Sequence, residues 1–104
     1  MAEAAQPTIS THVLDTEHGR PGAGLKVELY RGDELVSKQE TDADGRIAEL
    51  SPAALEPGVY RIVFRVPGGF FEQVEVSIAV ADPDEHLHVP LLLAPYSCVI
   101  YRGS

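Results

Sequence analysis

The sequence predicts an all-β chain folded as a sandwich of two sheets, and three observations predict it. Apolar residues recur with a period of two in short runs. No stretch sustains a helical period, and eight prolines and nine glycines stand between the runs, where they turn the chain. The 104 residues make one domain, since a second could not bury a core of its own. A hydrophobic content of 44% with 23% charged residues is globular in composition, not disordered.

Residues 1–7 are expected to be a flexible leader, short, small and acidic, lacking the basic and apolar regions of a secretory signal. The domain is expected over 8–104. Residues 8–14 alternate, with Ile9, Thr11 and Val13 on one face and Thr8, Ser10, His12 and Leu14 on the other. Three glycines, a proline and an aspartate make 15–24 a loop. In 25–31, Leu25, Val27 and Leu29 face inward and Lys26, Glu28 and Tyr30 outward, before Gly32-Asp33 turns the chain.

Residues 34–41 form a polar strand near a sheet edge, and Asp42-Ala43-Asp44-Gly45 is a turn that delivers Arg46 at the head of a short run, 46–50. The segment 51–58 holds at most one helical turn, ended by Pro57. Residues 59–66 put Tyr60, Ile62, Phe64 and Val66 on the core side, with Arg61 and Arg65 on a solvated face. Pro67-Gly68-Gly69 reverses the chain into 70–81, whose apolar face is Val74, Val76, Ile78 and Val80. Residues 82–85 turn into the final segment.

There Leu87, Val89 and Leu91 share one face and His86, His88 and Pro90 the other. Ala94-Pro95 breaks the run. Residues 96–102 carry no charge before Arg102 and read as buried on both faces, covered by another sheet or another subunit. About eight strands result, and the connections between them are too short for parallel crossovers.

Charge and cysteine usage exclude several functions. Sixteen acidic against eight basic residues give a net charge of −8, which argues against nucleic acid and anionic membrane as partners. No apolar run approaches the ~20 residues of a membrane helix. A single cysteine, Cys98, allows no internal disulfide, and the cytoplasm is the expected compartment.

Three side chains stand out because each begins or interrupts a strand on a non-core face: His12, Arg46 and His88. A strand histidine is more often a tolerated surface residue than a catalyst. The spacing of His86 and His88 invites a metal reading, since it places two imidazoles on one face. Zinc takes three or four ligands, however, Cys98 lies in an apolar run, and no second ligand cluster exists, so neither metal nor cofactor is expected. The sequence holds no nucleophile elbow, no P-loop and no dinucleotide fingerprint.

Together, Thr11-His12-Val13-Leu14-Asp15, Gly19-Arg20-Pro21, Asp44-Gly45-Arg46, Pro57-Gly58-Val59-Tyr60, the run from His88 to Leu93 and the closing Tyr101-Arg102-Gly103-Ser104 resemble the 5-hydroxyisourate hydrolase branch of the transthyretin-like family. The resemblance covers residues 9–104. It implies a β-sandwich of two four-stranded sheets, assembled as a homotetramer, a dimer of dimers around a central channel. It implies hydrolysis of the small molecule 5-hydroxyisourate to 2-oxo-4-hydroxy-4-carboxy-5-ureidoimidazoline, on the route from urate to allantoin. The site positions it implies are His12, Arg46, His88 and Ser104 as catalytic residues, and Arg46, Tyr101, Arg102 and Ser104 as substrate-binding ones.

An imidazole with an ordinary pKa of about 6.5 suits deprotonation of water near neutral pH, and Arg46 suits a developing oxyanion. Which histidine is the base stays open. The chain departs from the family pattern in three places. Pro67-Gly68-Gly69 replaces a connection that usually holds about a dozen more residues and the fold's short helix, so that helix is expected to be absent. Leu87 stands where an aromatic is common, and Ser97-Cys98-Val99-Ile100 replaces a more polar stretch. The alternatives are a non-catalytic ligand carrier using the same channel and a prealbumin-like interaction module.

Overall fold

A computed structural model describes residues 8–51, 55–82 and 84–103 of the protein. The expected leader at 1–7, part of the turn expected within 51–58, and Ser104 lie outside the described residues. Among the described residues nine strand segments follow one another as β1 (Ile9–Asp15), β2 (Arg20–Pro21), β3 (Lys26–Arg31), β4 (Glu34–Glu40), β5 (Arg46–Ile47), β6 (Gly58–Arg65), β7 (Gln73–Val80), β8 (Leu87–Ala94) and β9 (Ser97–Ile100). Among the described residues there is no helix, as the short β6–β7 connection predicts.

The strands form two sheets, one ordered β4-β3-β6-β7, the other β2-β1-β8-β9 with β5 also on β1. The second sheet thus has five segments, not four. The extra one arises because β2 and β5 are two residues each and share the free edge of β1, β2 at Leu14 and Asp15, β5 at Thr11 and His12. Arg20 and Pro21 therefore leave the predicted loop to pair, and the run predicted at 46–50 pairs only at its first two residues.

One pairing overturns an expectation. β1 and β8 run parallel, from Ile9 opposite Leu87 to Asp15 opposite Leu93. No short connection makes this crossover. The chain passes through the whole opposite sheet between the two strands, and that long route supplies the length a parallel pair requires.

Between the sheets lies the core, with Ile9 and Val13 of β1 and Val89 and Leu91 of β8 meeting Val27 and Leu29 of β3 and Tyr60, Ile62 and Phe64 of β6. The predicted alternation is what buries them. Burial of each such aliphatic or aromatic side chain contributes roughly 1.5–3 kcal/mol. Thr11, the fully buried polar side chain on the core face of β1, donates its hydroxyl to the Val89 carbonyl at 2.6 Å, which satisfies it without water.

β6 and β7 form a direct hairpin whose loop closes with a 2.9 Å bond from Val66 N–H to the Glu72 carbonyl. That bond encloses Phe70 and Phe71, so β7 begins at Gln73 and not at residue 70, and Val66 lies half-buried past the end of β6. The last strand also differs from expectation. Only Cys98 and Ile100 of β9 pack on the core, while Tyr96, Val99 and Tyr101 are 79%, 53% and 48% exposed. Among the described residues β9 is an edge strand paired by β8 alone, and none of them covers Val99 on its outer face.

Candidate active site

The Asp42 turn positions Arg46. Asp42 accepts through Oδ1 the backbone N–H groups of Asp44 and Arg46, both at 2.9 Å, and its carbonyl accepts that of Gly45 at 2.9 Å. Gly45 has φ +77°, and a Cβ there would stand 2.3 Å from the Val13 carbonyl oxygen. Only glycine lets the turn come this close to β1. Its carbonyl then takes the Val13 N–H at 2.7 Å, and Arg46 falls directly opposite His12. Residues facing each other across a ladder share a face, so both side chains rise from the outer side of the sheet.

The parallel register brings β8 to the same face, setting Ser10 opposite His88 and His12 opposite Pro90. Ser10 Oγ lies 2.7 Å from His88 Nδ1 and 2.9 Å from His86 Nε2, joining the two imidazoles. Thr8 Oγ1 lies 3.3 Å from His86 Nδ1. Three of the four ring nitrogens of the His86–His88 pair are thus engaged by hydroxyls, which leaves the pair poorly suited to clamp a metal.

Past β9 the chain returns along β8. Gly103 donates its N–H to the His88 carbonyl at 2.7 Å and bridges to that residue. A Cβ on Gly103 would stand 2.6 Å from His88 Cδ2, so the backbone lies flush against the imidazole.

An open depression of about 450 Å³ results, lined by Ser10, Asp42, Arg46, Ala48, His86 and His88 among others. Burial, and after it the charges of Arg46, His12 and His86, push His88 below the ordinary imidazole value of 6.5, against a hydrogen bond with the Ser10 backbone that raises it. Near neutral pH His88 is therefore an uncharged imidazole beside a permanent cation. That combination can accept a proton from water and stabilise negative charge developing on a carbonyl.

The structure brings His12, Arg46 and His88 to one face, as the sequence predicts. Tyr101 and Arg102 do not line this depression. They line a second one of about 250 Å³ with Val76, Ile78 and Ile100, and Arg102 is engaged by Glu85 at 2.6 Å. Ser104 lies outside the described residues. Sequence reasoning missed Ser10 and Thr8 as parts of the site. Alternation set both on the face of His12, but only the register of β1 on β8 shows that they meet the histidines.

A family model described as HIUase/Transthyretin family matches residues 9–103. The 5-hydroxyisourate hydrolase of Pseudomonas aeruginosa is 42% identical, over 92% of this chain and 90% of that protein. The protein from Rhizobium meliloti named 5-hydroxyisourate hydrolase 2 is 41% identical, over 92% and 95%. Among solved structures, Klebsiella pneumoniae 5-hydroxyisourate hydrolase superposes with a TM-score of 0.88 at 33% identity, over 95% of this chain and all of that one. Sea bream transthyretin in complex with thyroxine superposes at 0.82 with 24% identity, over 91% and 93%, which is a likeness of fold.

Proposed function

We propose that this chain, which belongs to the HIUase/Transthyretin family, hydrolyses 5-hydroxyisourate to 2-oxo-4-hydroxy-4-carboxy-5-ureidoimidazoline, a step in urate degradation. The observation that carries the reading is the convergence of His12, Arg46 and a neutral His88 on one open face. Opening a ring amide requires a water deprotonated near neutral pH and positive charge where the tetrahedral oxyanion forms. An uncharged imidazole meets the first need. Arg46, whose guanidinium forms no ion pair among the described residues, meets the second. His12 stands opposite Arg46 and orients water or substrate beside it. Ser104, Tyr101 and Arg102 complete the assignment as substrate-binding groups, with Ser104 also in the catalytic set. That part rests on the resemblance of the closing tetrapeptide.

The same reading gives a homotetramer, a dimer of dimers, in which the face bearing His12 and His88 is covered by a second pair of subunits. Exposed Val99 and Tyr101 at β9 support such a contact. A cytoplasmic location is supported by the single Cys98. Among the described residues no helix is long and apolar enough to cross a membrane.

The test is the ultraviolet absorbance of 5-hydroxyisourate, made fresh from urate with urate oxidase, with and without the protein. Acceleration over spontaneous decay that disappears in Arg46→Ala is the expected result. Decay at the background rate, from a protein shown to be folded and tetrameric, would overturn the hydrolase reading and put a ligand carrier in its place.

A further inference from the structure

Five groups lie in a chain that one proton per hydroxyl makes directional. Thr8 Oγ1 lies 3.5 Å from the Ala48 carbonyl oxygen, a long contact, and a carbonyl only accepts. In the direction that turns the Thr8 proton to this carbonyl, the hydroxyl meets His86 Nδ1, at 3.3 Å, as an acceptor, and His86 carries its proton on Nδ1. In the neutral ring Nε2 is then a bare lone pair, and it accepts the Ser10 hydroxyl at 2.9 Å. Ser10 has spent its one proton in turn, so toward His88 Nδ1, at 2.7 Å, it accepts. His88 carries its proton on Nδ1, and its Nε2 is left with the lone pair.

Packing holds the ring in the matching orientation. The Cδ2 edge of His88 lies against Gly103 while the Nδ1 edge lies on Ser10. A flip about the ring axis would exchange those edges and break the Ser10 bond.

We propose that Thr8, His86 and Ser10 are positioning residues that fix His88 as its Nδ1–H tautomer and so make His88 Nε2 the base of the hydrolysis. This rests on the functional reading above and assigns the base to one of the two histidines. The step balances as follows. His88 Nε2 takes a proton from water as the water oxygen bonds to the ring carbonyl carbon. The imidazolium keeps its Nδ1–H on Ser10, and when the C–N bond breaks the Nε2 proton passes to the leaving nitrogen. His88 returns to its starting tautomer without a change at Ser10. The charged and titratable groups that face it are Arg46 from β5, His12 from β1 and His86, which immediately precedes β8. Positive charge on any of them lowers its affinity for a proton, and Arg46 carries its charge throughout.

The tautomer is measured directly by long-range proton–nitrogen NMR of histidine-labelled protein at about pH 8, above the ordinary imidazole value. His88 is expected to show a protonated Nδ1 and a bare Nε2. Ser10→Ala removes the acceptor, and His88 is expected to revert toward the Nε2–H form that free imidazole favours. In the same variant kcat is expected to fall about 10- to 100-fold, while KM stays within about twofold. Ser10→Thr keeps the hydroxyl and is expected to restore both tautomer and rate, which a merely structural role would not require.

An Nε2–H form of His88 in the wild-type protein overturns the proposal. So does Ser10→Ala with unchanged tautomer and kcat. Failure of the functional reading looks different, because the wild-type protein would then turn over no substrate while its Nδ1–H spectrum stayed as stated.

Discussion

The two sheets carry the same kinds of residue on their outer faces and treat them in opposite ways. On the β4-β3-β6-β7 sheet every cation of β6 meets a partner. Arg65 donates from Nη2 to Glu28 Oε1 at 2.9 Å and from Nε to Oε2 at 3.2 Å, and Tyr30 adds its hydroxyl to Oε1 at 2.8 Å. Arg61 reaches Glu75 at 3.1 Å and lies over the Tyr30 ring at 4.5 Å. On the other sheet Arg46 has no carboxylate in ion-pair reach among the described residues; it stands opposite His12 and lines one depression with His86 and His88. A face whose charges are satisfied holds itself together. One whose cation is left unpaired beside a neutral base is arranged to meet something else.

Exchanging the treatment of the two faces is the strongest test of that contrast. Arg46→Ala is expected to lower turnover by about 100- to 1000-fold, the scale for removing an oxyanion-stabilising group, with an unchanged urea midpoint. Arg65→Ala is expected to lower the urea midpoint and leave turnover within about twofold. Equal losses of turnover in the two variants would dissolve the distinction. Next in size is Gly45→Ala. Its Cβ would meet the Val13 carbonyl at 2.3 Å in a left-handed backbone, and such strain costs of order 1–3 kcal/mol. Because the displaced residue precedes Arg46, turnover is expected to fall along with the urea midpoint. A stability loss with full activity would mean that the turn does not place Arg46.

How far the sequence reveals this contrast depends on which interactions are local. Period-two alternation assigned Ile9, Val27, Leu29, Ile62, Phe64 and Leu91 to the core, because the direction of a side chain in a strand is fixed by its neighbours. The same rule put His12, Arg46 and His88 on outer faces, and the closing motifs pointed to the family. Register is a different matter. The parallel pairing of β1 with β8, residues 78 positions apart where Ser10 meets His88, depends on the path of the chain through the opposite sheet and leaves no local signal. Ser10 was therefore invisible as a site residue. Arg61 and Arg65 read as solvated for a related reason, since their acidic partners lie on other strands. The double burial expected of 96–102 failed in the single chain because hydrophobicity reports that a surface wants cover without saying which chain supplies it.

pH sharpens the comparison, since both faces hold a group whose proton is bound less tightly in the folded state. Glu28 is held below its ordinary value of 4.5, first by Arg65 and then by Tyr30. His88 is held below 6.5, first by burial and then by its cationic neighbours. For a group whose folded pKa is depressed, the stability it contributes is complete above the unfolded value and is lost as pH falls through the folded one. The His88 contribution thus begins to decline below pH 6.5, and that of Glu28 only below 4.5. The acid limb of kcat/KM is expected below pH 6.5 for the same reason. Glu28→Gln is expected to flatten urea stability below pH 4.5 and leave that limb in place. A limb above 6.5 would mean that a different group carries the essential proton.

The smallest expected effect tests the satisfied face alone. Arg61 has its ion pair with Glu75 about one-third exposed at both ends, where water screens most of the attraction. Such a pair is worth ~0.2–1 kcal/mol, and the contact with Tyr30 adds about 0.5–1 kcal/mol at an exposed site. Arg61→Met keeps much of the aliphatic stem against Tyr30 and removes only the charge. It is expected to cost no more than ~1 kcal/mol in urea unfolding, with less of a loss in high salt than in low, and to leave turnover unchanged. A loss that does not shrink with salt would show that Arg61 stabilises the face through packing and not through its charge. The electrostatic part of the contrast with Arg46 would then rest on Arg65 and Glu28.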